Sequence, residues 1–441
     1  MKITIFGTWY VGLVTGTCLA EVWHEVLCID INEWKINNLK KWIIPIYEPG
    51  LEELVIRNYK NNRLKFSHNP KEWVEFANVI FSAVGTPPDK NHRADLRFVK
   101  AVAKTLWENI SEYTVFINKS TVPVGTWEIC REIIQNKIAK WGRNIDFDIV
   151  SNPEFLREWT AVKDFMVPDR IVCGVSSEKA KSIMKQVYEP FSRSYVSMIW
   201  TDIPSAEISK YAANSFLATK LSFINEIANF AELCGWNIKD ITKAIGSDKR
   251  IWSKFLHAGI GYGWSCFPKD VNALIETGKD YNYDFQIIKA TESINKAQQL
   301  KPVEKLESIM TIDGSIISIL WLSFKPKTDD IRDAPSLSII NELLEKWVSQ
   351  IRVYDPICMP HVKNIFQKET KMIFCDDAYN ASQWSDALLI VTEWDEFRGI
   401  DKQKILEKMN GTCIIDGRNI WSQKDFENLD GNYQWIWMSH N

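Results

Sequence analysis

The first thirty residues leave few folds open. Lys2-Ile3-Thr4-Ile5-Phe6 is an apolar strand, the turn Gly7-Thr8-Trp9-Tyr10-Val11-Gly12 opens a helical stretch to about Val22, and Glu25–Ile29 is a second strand ending at Asp30. Strand, tight turn, helix and returning strand make a βαβ unit, the building block of parallel sheets covered by helices on both faces. With Trp9 set aside, the turn reads G-x-G-x-x-G, whose glycines allow the tight turn, the close approach of a pyrophosphate and helix–strand packing. Asp30 lies 18 residues past Gly12, near the ~20 expected of a carboxylate that binds an adenosine ribose. A carboxylate there repels a 2′-phosphate, so NAD is expected rather than NADP. A doubly wound fold that binds nothing at this turn would carry much of the same pattern.

Three further strands end in polar loops, as ligand sites at the carboxyl edge of a parallel sheet require. Residues 78–84 run into Gly85-Thr86-Pro87-Pro88, Thr114–Asn118 into Lys119–Thr126, and residues 147–150 into Ser151–Glu158. From Ser205 to about Cys234, apolar residues recur at three- and four-residue spacing, which predicts one long helix. Lys210 and Asn214 share a face of it, either toward a cleft or as an exposed polar face. Helical segments continue to roughly Ala297. A second α/β half begins near Ser315 and echoes the first, with a strand at 316–320, a turn at Phe324-Lys325-Pro326, a helix at 336–346 and a strand ending at Asp355. The expected fold class is therefore α/β, with two Rossmann-like doubly wound domains joined by a central helical segment that contains the long helix. The division expected is a dinucleotide domain at 1–200, a helical dimerisation domain at 201–300 and a nucleotide-binding domain at 301–441.

Composition excludes several functions. A net charge of −3 with 25% charged residues carries no basic excess for nucleic acid, and no apolar run is long enough to span a bilayer. The strand pattern at the N-terminus is not a signal peptide, so a cytoplasmic protein is expected. Nine scattered cysteines without a CxxC pair fit reduced thiols better than a disulfide framework or a metal site.

One of those thiols is placed for chemistry. Gly261-Tyr262-Gly263-Trp264-Ser265-Cys266-Phe267-Pro268-Lys269-Asp270 sets Cys266 in a glycine-rich loop ahead of a helix that Pro268 can open. The positive end of that helix and the Lys269 cation both favour thiolate over thiol. A buried structural cysteine is the plainer reading.

Taken together, Gly7–Gly12, Lys119–Gly125, Asn152–Glu158, Lys210–Asn214, Phe255–Asp270, Phe324–Arg332 and Asp416–Asn419 resemble, in order and over nearly the whole chain, the motifs of the UDP-glucose dehydrogenase family. Members of that family use two NAD to oxidise the C6 alcohol of a nucleotide sugar to a carboxylate. The resemblance implies UDP-glucose as substrate and a homodimer, with GDP-mannose and UDP-N-acetylmannosamine dehydrogenases as close relatives. It implies that Cys266 captures the sugar aldehyde and carries a thioester, that Lys210 and Asn214 hold the oxyanion, and that Asp270, with Thr121 and Glu154, orders a water. Glu158 would sit near the sugar and the nicotinamide. NAD would be held by Gly7, Val11, Gly12, Asp30, Lys35, Thr86, Thr121 and Glu158, with Lys269 and Arg332 reaching it from elsewhere. The nucleotide sugar would meet Glu154, Phe155, Leu156, Lys210, Asn214, Phe255, Leu256, Gly259, Gly263 and Lys325, with Arg250 donated by a neighbouring subunit.

The departures from the family pattern all involve tryptophan. Trp9, Trp23, Trp42, Trp107, Trp159, Trp252, Trp264, Trp321, Trp347 and Trp384 stand at glycine positions, whereas Trp394 matches a family tryptophan. The chain holds 20 Trp and 19 Gly, where average usage of about 7% predicts roughly 31 glycines. The expectation is that these ten are UGA codons read as glycine. If the indoles are real, Trp9 blocks the pyrophosphate and Trp264 crowds the thiol, leaving a nucleotide-sugar-binding protein without activity.

Overall fold

The computed structural model describes residues 1–69, 72, 76–140, 145–191, 197–263, 267–326, 328–421, 425–426 and 432–435. The chain forms two compact units, residues 1–213 with 279–281, and residues 214–278 with 282–441.

The first unit is built on an eight-stranded sheet of order β3-β2-β1-β4-β5-β6-β7-β8. Its strands are β1 (Lys2–Phe6), β2 (Glu25–Ile29), β3 (Leu64–Ser67), β4 (Val79–Ser82), β5 (Thr114–Asn118), β6 (Phe147–Ser151), β7 (Arg170–Gly174) and β8 (Ser197–Thr201). All neighbours run parallel except β6 and β7, which meet antiparallel through Ser151 and Gly174. Strand order reverses between β1 and β4, which leaves a crevice at their carboxyl ends. Alternation explains the two cores. Val26 and Cys28 of β2 join one buried cluster with Leu13, Val14 and Leu19 of the helix Tyr10–Glu21. Leu27 and Ile29 join another with Val99, Ala103 and Leu106 of the helix Arg97–Asn109. Each such buried aliphatic side chain contributes about 1.5–3 kcal/mol relative to exposure.

The long helix expected from the spacing is Ile203–Leu233, and the division between units falls within it, between Ala213 and Asn214. The second unit adds the helices Ile238–Gly246, Phe267–Asp280 and Gln286–Ile309. Its sheet, all parallel, has the order β11-β10-β9-β12-β13-β14. The strands are β9 (Ile316–Leu320), β10 (Gln350–Tyr354), β11 (Met372–Phe374), β12 (Ala387–Ile390), β13 (Cys413–Asp416) and β14 (Asn432–Trp435). The α/β class, the two doubly wound sheets and the helical middle thus agree with the sequence pattern. Among the described residues no helix is long and apolar enough to cross a membrane.

Candidate active site

In the first unit, β1 delivers the chain into a turn that only glycine can make. Gly7 has φ 99°, and a Cβ on it would lie 2.5 Å from the Ala83 carbonyl oxygen; one on Gly12 would lie 2.0 Å from the carbonyl oxygen of Gly7. The turn is therefore folded flat against the end of the neighbouring strand β4, and only three residues separate β1 from the helix Tyr10–Glu21. Unsatisfied amides at a helix start and a cradle that a Cβ would fill are what a pyrophosphate needs, so the residues present fit a dinucleotide. Val11 lies in the first helical turn, half-buried against the core.

Asp30 closes the far side. Its carboxylate accepts from the Thr8 amide at 3.0 Å, the Thr8 hydroxyl at 2.8 Å, the Asn32 amide at 3.0 Å and Lys35 Nζ at 2.8 Å. Burial pushes its pKa up, but the bonds from Lys35, Asn32 and Thr8 outweigh that and hold it below the usual carboxylate range. Asp30 and Lys35 are thus brought together at the turn. Trp9 stands beside them, half-exposed, with Lys35 Nζ 5.5 Å from its ring centre.

The loops after β4, β5 and β6 hold the other residues of this unit. Thr86 donates its hydroxyl to the Thr121 carbonyl at 2.8 Å, linking two of the loops. Glu154 is paired with Lys210 at 3.3 Å, with only 10% and 6% of the two side chains exposed, and also accepts from the Leu156 amide at 2.6 Å. Lys210 Nζ lies 5.4 Å from the centre of the Phe155 ring. Glu158 is half-buried, and its charge, after burial and the Glu48 carboxylate, helps to raise the Tyr10 hydroxyl pKa. Lys119, Asn152, Glu154, Phe155, Leu156 and Arg170 line a cleft here.

Two arrangements here escaped the sequence reading. Lys119 is buried, with Nζ 3.1 Å from Asn152 Oδ1, and burial pushes its pKa down to about 8. Tyr10 bonds Glu48, which accepts from the Trp159 amide at 2.7 Å. The position of Lys119, directly after an apolar strand, was the available signal for the first. Nothing local marks the second.

In the second unit, Asn214 donates to Asp270 Oδ2 at 2.6 Å, both residues buried. Lys269 pairs with the other oxygen of Asp270. The helix Phe267–Asp280 does begin around Pro268. Cys266, like Trp264, lies outside the described residues. The loop before it is clamped to the helix Gln286–Ile309: Asn295 Oδ1 accepts from the Tyr262 amide at 2.7 Å, and Gln298 and Gln299 donate to the carbonyls of Gly259 and Tyr262, each at 3.0 Å. These amides were also missed, although side chains at 295, 298 and 299 share one helical face. Gly259 donates its own amide to Asn225 at 2.8 Å. Gly263 admits the backbone of Asp333, whose carbonyl oxygen would stand 2.2 Å from a Cβ there. Phe255 is half-buried, its ring centre 6.1 Å from that of Phe267, and Leu256 is buried. Lys325 lies over the Phe324 ring at 5.1 Å. Arg250 and Arg332 are exposed and folded back on Asp248 and Asp330, each two residues earlier.

Lys210 and Asn214 are therefore buried and occupied, not part of an exposed polar face. Among the described residues no cluster of His, Cys, Asp and Glu is suited to a metal.

Comparison with known proteins identifies the family. Residues 1–192 match the NAD binding domain of the UDP-glucose/GDP-mannose dehydrogenase family, residues 204–297 its central domain and residues 318–423 its UDP binding domain. The chain is 44% identical over 427 residues to UDP-glucose 6-dehydrogenase TuaD of Bacillus subtilis, covering 97% of this chain and 91% of that protein. It is 41% identical to the UDP-glucose 6-dehydrogenase of Rhizobium meliloti, over 96% of this chain and 97% of that one. A solved UDP-glucose dehydrogenase from the archaeon Pyrobaculum islandicum superposes with a TM-score of 0.89 at 32% identity, covering 99% and 98% of the two chains. With a glycine cradle closed by Asp30, buried Glu154–Lys210 and Asn214–Asp270 pairs, and these matches from end to end, the chain belongs to the UDP-glucose/GDP-mannose dehydrogenase family.

Proposed function

We propose that the protein catalyses the NAD-dependent oxidation of UDP-glucose to UDP-glucuronate, a four-electron change at C6. The observation that carries this reading is the pair of buried polar contacts on one helix, Lys210 with Glu154 and Asn214 with Asp270, the residue types this oxidation requires. Gly7, Val11, Gly12, Asp30, Lys35, Thr86, Thr121 and Glu158 would hold NAD, with Lys269 and Arg332 as further contacts. Bound there, NAD would supply the hydride acceptor for each of the two oxidations.

After the first oxidation, the Cys266 thiol adds to the aldehyde carbon, forming a C–S bond and a thiohemiacetal whose C–H is the second hydride donor. Lys210 and Asn214 donate hydrogen bonds to the oxygen at C6 as its charge develops, where a water-poor site makes them most effective. The resulting thioester is cleaved by a water ordered by Asp270 with Thr121 and Glu154. The C–S bond breaks, the thiol is restored, and the carboxylate leaves with the water oxygen. Phe155, Leu156, Arg250, Phe255, Leu256, Gly259, Gly263 and Lys325 are assigned to the nucleotide sugar.

The homodimer rests on Phe216, Phe223 and Phe230, which recur every seven residues along the long helix and are 66%, 49% and 55% exposed. Such a stripe is the pattern of a helix seam; Phe223→Asp should lower the mass measured by light scattering. The cysteines described are unbridged, in keeping with a reducing cytoplasm.

Mixing the protein with NAD and UDP-glucose tests the reaction. Two NADH per sugar are expected; one would mark a simple alcohol dehydrogenase, and none a binding protein. A Cys266→Ser variant should lose the second oxidation. Faster turnover with GDP-mannose or UDP-N-acetylmannosamine would reassign the substrate within the family.

A further inference from the structure

Among the described residues, seven tryptophans have left-handed backbones: Trp23, Trp42, Trp159, Trp252, Trp321, Trp347 and Trp384, with φ between 61° and 76°. All seven belong to the ten that the family pattern places at glycine positions, and no other described tryptophan has positive φ. In this region Cβ crowds the following carbonyl, and a bulky aromatic there is an outlier. The other described non-glycine residues at positive φ are Asn62, His92, Phe255, Asn282, Asp333 and Asn419. Apart from Phe255, these are the types that tolerate it.

The chain supplies its own controls. The helix Ile203–Leu233 ends in a Schellman motif with glycine in the left-handed position: the Gly235 amide bonds the Glu232 carbonyl at 3.2 Å and the Trp236 amide bonds that of Ala231 at 2.8 Å. Trp23 and His24 make the same two bonds to Ala20 and Leu19, Trp42 and Ile43 to Leu39 and Asn38, and Trp347 and Val348 to Leu344 and Leu343. The motif also recurs with Asn62 and Arg63, bonded to Tyr59 and Asn58, so it carries glycine once, asparagine once and tryptophan three times; the tryptophans are hard to derive from packing, because Trp23 and Trp347 are 78% and 74% exposed.

Trp321 has an equally close counterpart. Gly7 follows β1 and bonds the last carbonyl of β2, Ile29, at 2.8 Å; Trp321 follows β9 and bonds the last carbonyl of β10, Tyr354, at 2.8 Å. Their φ values are 99° and 75°. By contrast, Trp421 behaves as a tryptophan, buried and donating its indole N–H to the Phe397 carbonyl at 2.7 Å.

We infer that the codons at 23, 42, 159, 252, 321, 347 and 384 specify glycine in the cell that makes this protein, and that those at 9, 107 and 264, which share only the family's glycine pattern, do so as well. A single reassignment, UGA read as glycine, accounts for one residue type recurring at unrelated turns, caps and strand ends. At position 9 it would also remove the indole beside Lys35 from the mouth of the dinucleotide turn.

The test is independent of enzymatic activity. Tandem mass spectrometry of the protein isolated from its own cells should find glycine at 23, 42, 321 and 347 and tryptophan at 421. Tryptophan at the first four overturns the inference. In the recombinant chain as written, Trp23→Gly, Trp42→Gly and Trp347→Gly should each raise Tm by roughly 2–4 °C, by relieving the left-handed backbone at exposed sites. Trp421→Gly should lower it. Failure of all three exposed variants to raise Tm would count equally against the inference.

Discussion

The two sheets begin alike and diverge at one carboxylate. In each, a buried strand is followed by a left-handed residue, Gly7 or Trp321, and the neighbouring strand ends at an aspartate, Asp30 or Asp355. In the first unit only three residues separate the strand from the helix, and Asp30 is paired with a lysine side chain. In the second the helix waits until Pro335, and Asp355, 1% exposed, accepts from the amides of Leu322, Ser323, Ile357 and Cys358. The difference teaches how one frame serves two purposes. Asp355, held by four backbone amides, braces its loop, whereas Asp30 shares two amides with the Thr8 hydroxyl and the Lys35 cation, side-chain contacts that would exchange with a ligand hydroxyl if NAD binds as proposed.

The most severe way to break the comparison is to fill the first turn. Gly12→Val puts carbon atoms where the Gly7 carbonyl already stands, and NAD affinity measured by calorimetric titration should fall by at least about 100-fold. Asp355→Ala comes next: with four buried amides left unpaired, urea unfolding should show a loss of roughly 3 kcal/mol or more. If it costs no more than Asp30→Ala, the brace is not one.

A smaller effect concerns pH. Glu207, 2% exposed, accepts from the Gly125 amide at 2.8 Å and the Trp127 amide at 3.0 Å, yet burial outweighs these bonds and raises its pKa to about 8. The folded protein therefore keeps a proton that the unfolded chain releases above about pH 4.3. That contribution to stability is complete below this value and is lost as pH rises to about 8, an effect of a few kcal/mol. Unfolding curves at pH 5 and pH 8 should differ less for Glu207→Gln than for the parent. Smallest is Asp30→Ala, which should weaken NAD about tenfold and cost about 1 kcal/mol of stability, with relatively better acceptance of NADP.

Where the sequence was informative, short-range rules governed the structure. The first crossover was legible because apolar strands, glycine punctuation and a terminal aspartate fall within thirty residues. The last two strands of that sheet, β7 and β8, were not, because nothing local to Arg170–Gly174 or Ser197–Thr201 marks the antiparallel meeting of β7 with β6 or the sheet edge that β8 forms. Lys210 and Asn214 could be placed on one face, but their partners, Glu154 and Asp270, lie 56 residues away in opposite directions along the chain. The clamp of Asn295, Gln298 and Gln299 on the loop before Cys266 interrupts a face that an apolar template would leave unread.

Lys210 and Asn214 are carried by a continuous α-helix, whose rise of 1.5 Å per residue separates them by about 6 Å along the axis. The interval between cation and amide is thus set by a rigid ruler that does not stretch with loop movement. If the two side chains act as proposed, inserting one residue between positions 210 and 214 would rotate them off a common side of the helix by about 100° while leaving each chemically intact, and turnover would fall without a change in either group's chemistry.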